Sequence, residues 1–453
     1  MDSLNDVTRK YFDFDRSSRL EKSKHKLVAE SFDSNVSLEA ASAALPETPL
    51  DEYSYQNVLR PLFGKSDLNY QGIGSHPDFK HLEGQDDVEL HYIVTMFVDI
   101  KGSTRLNLLL DLHDAFYVKN RILQAAIDVV RSLDGHPHRL MGDALMAFFG
   151  GKGVKKETAI ADAINAAAML RIAMLESVFP QLDNYLQSSA NLAIRVGIDF
   201  GDDGEVLWGR YGHGNVCEVT AQGLHVDCAS KLQGKASSNH IMMGGNITQY
   251  IDFPMQYTSL KIREKSGSKN EVHYLEPNIT DRDNRPINYK MYHLNHDEFV
   301  DLLPLPVSWK SSLNNSRLLE NRNVKFSCEV CEEGNWNTYK SVSRFLPPNL
   351  DLRFKVKVAT DMVNRYGGLL VKFIKKNNGS EAGDDIKPVE TLKHFHPARG
   401  GKYGAPPPYL ELEVPEGTLY RGLHTMSVEV YGKSAPHIAL FSDRIGVYIY
   451  GKT

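Results

Sequence analysis

Cysteine is scarce, with only Cys217, Cys228, Cys328 and Cys331 among 453 residues. Four scattered thiols cannot staple a chain of this size, so a disulfide scaffold is excluded and a reducing, cytoplasmic setting is expected. Long apolar runs are also missing. The nearest candidate, Ala161 to Leu175, is interrupted by Asp162, Asn165 and Arg171 and falls short of the roughly 20 residues of a spanning helix. The stretch Met1 to Lys24 mixes Asp with Arg and Lys, unlike a signal peptide or an acid-poor transit sequence. Neither charge sign is in surplus: 52 Lys and Arg stand against 57 Asp and Glu, a net charge of −5. That gives no sign of a general nucleic-acid binder, which would want a basic surplus or a basic face. No membrane partner is expected either. A phosphate-bearing substrate would have to meet a local basic cluster.

The length suits two or three domains. Residues 1–88 are polar, helical in character over the first forty and turn-rich afterwards, and read as an extension that packs onto something larger. His91 to Ile100 is rich in β-branched and aromatic residues, which predicts a buried central strand. Val118, Ile122, Ala126, Val129, Val130 and Leu133 recur at helical spacing up to Gly135, a long amphipathic helix with a C-terminal glycine. A hairpin turning at Gly142-Asp143, a helix over 158–176, a strand over Leu192 to Ile198 and a helix from Leu224 to Lys235 follow. This order predicts an α+β layered domain with a mixed, mainly antiparallel sheet over residues 89–276. The stretch 277–317, rich in Asn, Asp, Pro and Ser, reads as a linker. Over 318–453 the period becomes two, as in Leu350, Leu352, Phe354, Val356 and Val358, which predicts a β-sandwich.

The chemistry gathers on two aspartates. Asp99 ends the first strand in Phe97-Val98-Asp99-Ile100-Lys101-Gly102-Ser103-Thr104, and Asp143 sits at the hairpin tip in Arg139-Leu140-Met141-Gly142-Asp143. Two carboxylates lifted to one end of a sheet can hold two divalent ions, which suit phosphoryl or nucleotidyl transfer. Backbone N–H groups of Gly102, Ser103 and Thr104, between strand and helix, can cradle phosphate. Cys328-Glu329-Val330-Cys331 has the spacing of half a zinc site, with His394 and His396 as further donors, but reads better as a reduced strand pair. Lys372, Lys375 and Lys376 read as a solvated hairpin end.

These motifs resemble the class III nucleotidyl cyclases over about residues 89–276, and more narrowly the pyrimidine cyclases of bacterial anti-phage (Pycsar) systems, which often carry a C-terminal AGS-C-type sensor domain. The resemblance implies a ferredoxin-like catalytic fold. It implies two Mn²⁺ or Mg²⁺ ions on Asp99, Asp143 and the Ile100 carbonyl, and a homodimer with shared sites. Arg139 stands where similar enzymes place a base-contacting residue. Its donor-only guanidinium favours uracil or guanine, with cytosine next. Thr220 takes the partner position, and Tyr92 is a further base contact suggested by the pyrimidine branch. Asp227 and Lys231 align with an Asn and an Arg that orient ribose and stabilise the transition state, and depart from the pattern at both positions. An intrahelical ion pair explains them equally. The expected activity is UTP to 3′,5′-cyclic UMP, read by a downstream effector. Alternatives are a cytidylate cyclase, an adenylyl cyclase disfavoured by the missing lysine, and a silent nucleotide-binding module.

Overall fold

The computed structural model describes residues 6–8, 54–186, 191–214, 216–265, 268–276, 280–312, 318–398 and 406–451. The helical character expected of the first forty residues lies, apart from residues 6–8, outside them.

The N-terminal half runs α1 (Ser54–Leu62), β1 (Val88–Leu90), β2 (Ile93–Lys101), α2 (Ser103–Leu109), α3 (Leu112–Ser132), β3 (His136–Met141), β4 (Ala144–Phe149), α4 (Lys156–Ala173). It continues with α5 (Phe179–Leu186), β5 (Ala193–Gly201), β6 (Leu207–His213), β7 (Val216–Gln222), α6 (Leu224–Lys235), β8 (His240–Gly244), α7 (Gly245–Tyr250). Four strands close it: β9 (Thr258–Leu260), β10 (Ile262–Lys265), β11 (Ser268–Val272) and β12 (Met291–Leu294). The main sheet has the order β3-β4-β2-β5-β8-β12-β9, antiparallel throughout except where β8 runs parallel to β5. This is the α+β architecture that the order of elements predicts.

Helices α3 and α4 bury one face of the sheet through Val118, Ile122, Ile160 and Ile164. Helix α6 covers the other at Gly197, where a Cβ would stand 2.2 Å from the backbone nitrogen of Gln233. The end of α3 departs from expectation. The left-handed residue there is Asp134 (φ 59°), while Gly135 is needed because a side chain would strike Val130 and Phe149. The run Lys156–Leu186 is long and apolar enough to cross a membrane by length and composition, but 83% of its most apolar window is buried inside the protein, which makes it a core helix.

The described part of the expected linker, residues 280–312, is not a linker. β12 pairs with both β8 and β9, and α8 (His296–Val300) and α9 (Val307–Ser312) follow it. The few apolar residues that its polar composition hides are nearly all used: Met291, Leu294, Phe299, Val300, Leu302 and Leu303 are buried.

The C-terminal half is a β-sandwich. Its strands are β13 (Val324–Glu332), β14 (Asn335–Tyr339), β15 (Phe345–Leu346), β16 (Asp351–Ala359), β17 (Leu369–Lys376), β18 (Val389–Phe395), β19 (Tyr409–Gly417), β20 (Gly422–Gly432) and β21 (Ala435–Ile449). They form sheets ordered β14-β13-β16-β19 and β15-β21-β20-β17-β18, which enclose Phe326, Phe354, Phe373 and Val428. Cys328 is buried and Cys331 only half-buried along β13. At this odd spacing the two thiols point to opposite faces of the strand, so they cannot share an ion. Lys372 pairs with Glu390 at 2.7 Å and Lys375 with Glu416 at 2.9 Å.

The sandwich is fused to the first half. Val342, Phe345, Leu423 and Tyr448 belong to the same apolar cluster as α3 and α4, and Asn165 of α4 donates to the Val342 carbonyl at 2.8 Å. Arg421 donates to the Tyr250 carbonyl, and the Ser380 hydroxyl to Asp252 at 2.8 Å.

Candidate active site

Asp99 is the last residue of β2 to pair with β4, and its partner there is Ala144. The β3–β4 hairpin turns on Gly142, in the left-handed region at φ 66°, and Asp143. Asp143 therefore comes beside the end of β2, and the two predicted carboxylates meet at one end of the sheet. Asp143 Oδ2 accepts from the Ser103 hydroxyl, on the first turn of α2. Asp99 Oδ2 accepts from Arg195, its cross-strand neighbour on β5, with Nε at 3.1 Å, and from Gln233 Nε2 of α6 at 3.1 Å. Among the described residues, no partner takes Oδ1 of either carboxylate.

The donor set fits a hard divalent ion. It consists of two carboxylates, each with a spare oxygen, the Ser103 hydroxyl, and the backbone carbonyl of Ile100, whose side chain is buried. All are oxygen ligands of the kind Mg²⁺ and Mn²⁺ prefer. Gly102 sits at the N-terminus of α2 at φ 96°, a conformation that lets the chain turn from strand to helix, and Thr104 is exposed beside it. Arg195 is a site residue that the sequence reading missed. Its signal was its place two residues before Gly197 on the strand next to Asp99.

A second group lies on β3 and β7. Arg139 and Glu218 form an ion pair, with Nε donating to Oε2 at 3.1 Å, and both side chains are a little over a third exposed. Thr220 is not presented to a ligand. It is buried, and its hydroxyl lies 3.0 Å from His138 Nε2. His138 uses Nδ1 to donate to the Gly74 carbonyl at 2.9 Å, which makes Nε2 the acceptor from Thr220. Burial pushes the His138 pKa down to about 4, so the ring stays neutral. The residue that stands beside Arg139 is Glu218, two positions earlier on the same face of β7 and legible from strand period once β7 is recognised. The N-terminal extension takes part: Gly74 also accepts from His136 Nε2 at 2.8 Å, so 54–88 braces the strand that carries Arg139.

Tyr92 lies elsewhere. It precedes β2, at the far end from Asp99, is buried, and donates its hydroxyl to the Val154 carbonyl. A core phenol with its hydrogen bond already spent inside the protein cannot contact a base, which corrects that expectation. Asp227 and Lys231 are both exposed on α6, and they are not paired with each other. Lys231 instead meets Glu276 at 2.8 Å.

The comparisons agree with this geometry. Residues 87–276 match the adenylate and guanylate cyclase catalytic domain, and residues 305–450 match the adenylyl/guanylyl and SMODS C-terminal sensor domain. A cytidylate cyclase of Escherichia coli is 45% identical over 415 residues, 88% of each chain. A second from Escherichia coli is 34% identical, covering 88% of this chain and 85% of its own, and one from Staphylococcus aureus is 33% identical over 86% of both. The carboxylate pair, the mixed sheet that carries it and the appended sandwich thus have one source: the chain belongs to the class III nucleotidyl cyclases, in the branch that joins this catalytic domain to a C-terminal sensor domain.

Proposed function

We propose that the protein is a homodimeric pyrimidine cyclase that converts CTP to 3′,5′-cyclic CMP and pyrophosphate in the cytoplasm. What carries this reading is the likeness to three cytidylate cyclases, and the Arg139–Glu218 pair is chemically compatible with their base. Arg139 alone is donor-only and points toward uracil O4, but Glu218 adds an acceptor at its side. Together they match cytosine, whose N4 amino group donates to Glu218 while N3 accepts from Arg139. The names of the relatives, all cytidylate cyclases, favour the same base. A second reading, UTP to cyclic UMP, is the same pair in reverse order, with O4 on Arg139 and N3–H on Glu218.

Two Mn²⁺ or Mg²⁺ ions would bind at Asp99, Asp143 and the Ile100 carbonyl, where they supply charge that activates the 3′ oxygen and neutralises the triphosphate. Ser103 orients Asp143, and Gln233 and Arg195 orient Asp99. Beside the carboxylate pair, the Arg195 guanidinium is placed to meet a phosphate oxygen. Lys231 serves as a point charge at the transferring phosphorus, and Asp227 accepts from a ribose hydroxyl.

Asp227 and Lys231 act from the partner, which explains why both face solvent. An apolar patch supports the dimer: Leu108, Leu112 and Phe116, on α2 and α3 next to Ser103, are 82%, 81% and 72% exposed. The cyclic product would serve as a second messenger for an effector in anti-phage defence, with the sandwich sensing the cue.

The test is product analysis by mass spectrometry after incubation with Mn²⁺ and each of ATP, GTP, CTP and UTP, with Asp143→Ala as control. Cyclic CMP formed only by the unaltered protein is the expected outcome. Cyclic UMP would install the second reading, and no cyclic product would leave a nucleotide-binding module.

A further inference from the structure

A cavity of about 460 Å³ opens at the same end of the sheet as Asp99, but beyond β8. Arg171 of α4, His240 at the start of β8, His293 of β12 and His296 of α8 line it, with Asp297 and Glu298 at its side. His296 is 7% exposed, and neither of its ring nitrogens has a hydrogen-bond partner. His293 Nδ1 is likewise buried and unpartnered. Neutral imidazole offers one donor and one acceptor, so a ring buried with both unused loses hydrogen bonds that water would have supplied. Arg171 Nε donates to the Asn239 carbonyl at 2.9 Å, while its terminal nitrogens meet no partner among the described residues. The donors thus converge on a space much larger than one water molecule.

The charges around the cavity restrict what can fill it. Arg171 feels Asp297 and Glu176, His293 feels Lys261 and His240, and His296 feels Arg171 and His240. Burial, reinforced by these cations, pushes His296 down to about 3 and His293 to about 4, so both rings are neutral until an anion arrives. A bare anion would be attracted by Arg171 but repelled by Asp297 and Glu298. An oxyanion that keeps a proton avoids the conflict: it accepts from Arg171 and one imidazole nitrogen, and donates to a carboxylate or to the other. Phosphate near neutral pH is such a species, whereas sulfate carries no proton.

We propose that this cavity is a binding site for a protonated phosphate-class oxyanion, distinct from the metal site. Its place makes the proposal relevant to the reaction. Asp99, Arg195 and His240 occupy one row across β2, β5 and β8, so His240 stands about 10 Å from Asp99 at the usual strand spacing. Pyrophosphate leaving the metal site and free phosphate are the two available sources, and the site does not depend on which base is cyclised.

Calorimetry on the full chain with EDTA present tests it, titrating inorganic phosphate, pyrophosphate and sulfate separately. One equivalent of phosphate or pyrophosphate should bind per chain, with sulfate at least tenfold weaker. Arg171→Gln and His296→Phe should each weaken binding at least tenfold, and Asp143→Ala should leave it intact. His293→Gln gives the same loss should His296→Phe fail to fold. Tighter pyrophosphate would identify the product as the source, and tighter phosphate the free ion. No binding, equal affinity for sulfate, or a loss in Asp143→Ala in place of Arg171→Gln would each overturn the proposal.

Discussion

Glu218 accepts from Arg139 Nε at 3.1 Å, which turns a lone guanidinium into a donor and an acceptor side by side. If cytosine N4–H is read by Glu218, Glu218→Ala should lower kcat/KM for CTP by about 10- to 100-fold, the scale of one unpaired polar group, about 1–3 kcal/mol. Arg139 would remain and suits cytosine N3 and uracil O4 alike, so discrimination between the two bases should shrink and the ratio of UTP to CTP turnover should rise toward one. Competition assays with both nucleotides measure that ratio, and an unchanged ratio would place base reading on other residues.

The pair also marks where the sequence stops being legible. Asp99 and Asp143 are readable because each ends a local pattern, an apolar strand in one case and a Gly-Asp turn in the other. Glu218 and Arg195 become readable only once their strands are placed, because their importance comes from neighbours that the sheet supplies: Arg195 faces Asp99 across β2 and β5, and Glu218 reaches Arg139 from a separate arm. Thr220 fails for a related reason. An alignment position says nothing of His138, which takes its hydroxyl from behind. Tyr92 is a strand-end aromatic whose burial is set by the Gly150–Val154 loop packed around it.

Metal dependence should track the two spare carboxylate oxygens. Asp99→Asn and Asp143→Asn should each lower turnover by about 10²- to 10³-fold, the scale of losing a group that stabilises developing charge. Mn²⁺ should raise the melting temperature of the unaltered chain, by about 2.7 kcal/mol of stabilisation at a hundredfold excess over Kd. Neither variant should respond. Chelation should abolish activity, and a Mn²⁺-induced shift that persists in both variants would put the ions elsewhere.

The dimer is tested by mixing. Asp99→Ala and Lys231→Ala chains should be inactive alone, since each lacks a part of every site. Mixed chains form heterodimers with one intact site, so about a quarter of full activity should return if subunits exchange at random. Lys231 is half-exposed and its ion pair with Glu276 is at the surface, so Lys231→Ala should fold normally. No return of activity in demonstrably mixed dimers would confine each site to one chain.

Truncation follows from the misread linker. A fragment ending at residue 276 keeps every cyclase motif but loses β12, which lies between β8 and β9, and the Phe345 and Tyr448 rings that complete the α4 core. Such a fragment should aggregate or show no cooperative unfolding by circular dichroism, whereas the full chain should melt in one transition that includes both halves. A soluble, cooperatively folding fragment would show that the sandwich is dispensable to the core.

The last prediction concerns pH and α6, the helix that carries Asp227 and Lys231. His225 on its first turn holds buried Asp199 at 3.1 Å, the Tyr289 hydroxyl donates to both Asp199 oxygens at 2.8 and 2.7 Å, and Glu205 lies 3.5 Å from the other ring nitrogen. Burial alone would lower the His225 pKa, but the hydrogen bond and charge of Asp199, helped by Glu205, outweigh it and hold it above its ordinary value. A raised pKa means that the folded chain binds this proton more tightly than the unfolded one. The stabilisation is therefore fully present below the unfolded value of about 6.5 and is lost as pH rises through the folded value. Urea midpoints measured from about pH 6 to pH 9 should fall along that limb. His225→Gln removes the titrating group and should flatten it, at the cost of lower stability at the acid end where the ion pair is complete. If the variant kept the slope of the unaltered chain, the proton would belong to another group, and Asp199 would hold α6 through Tyr289 alone.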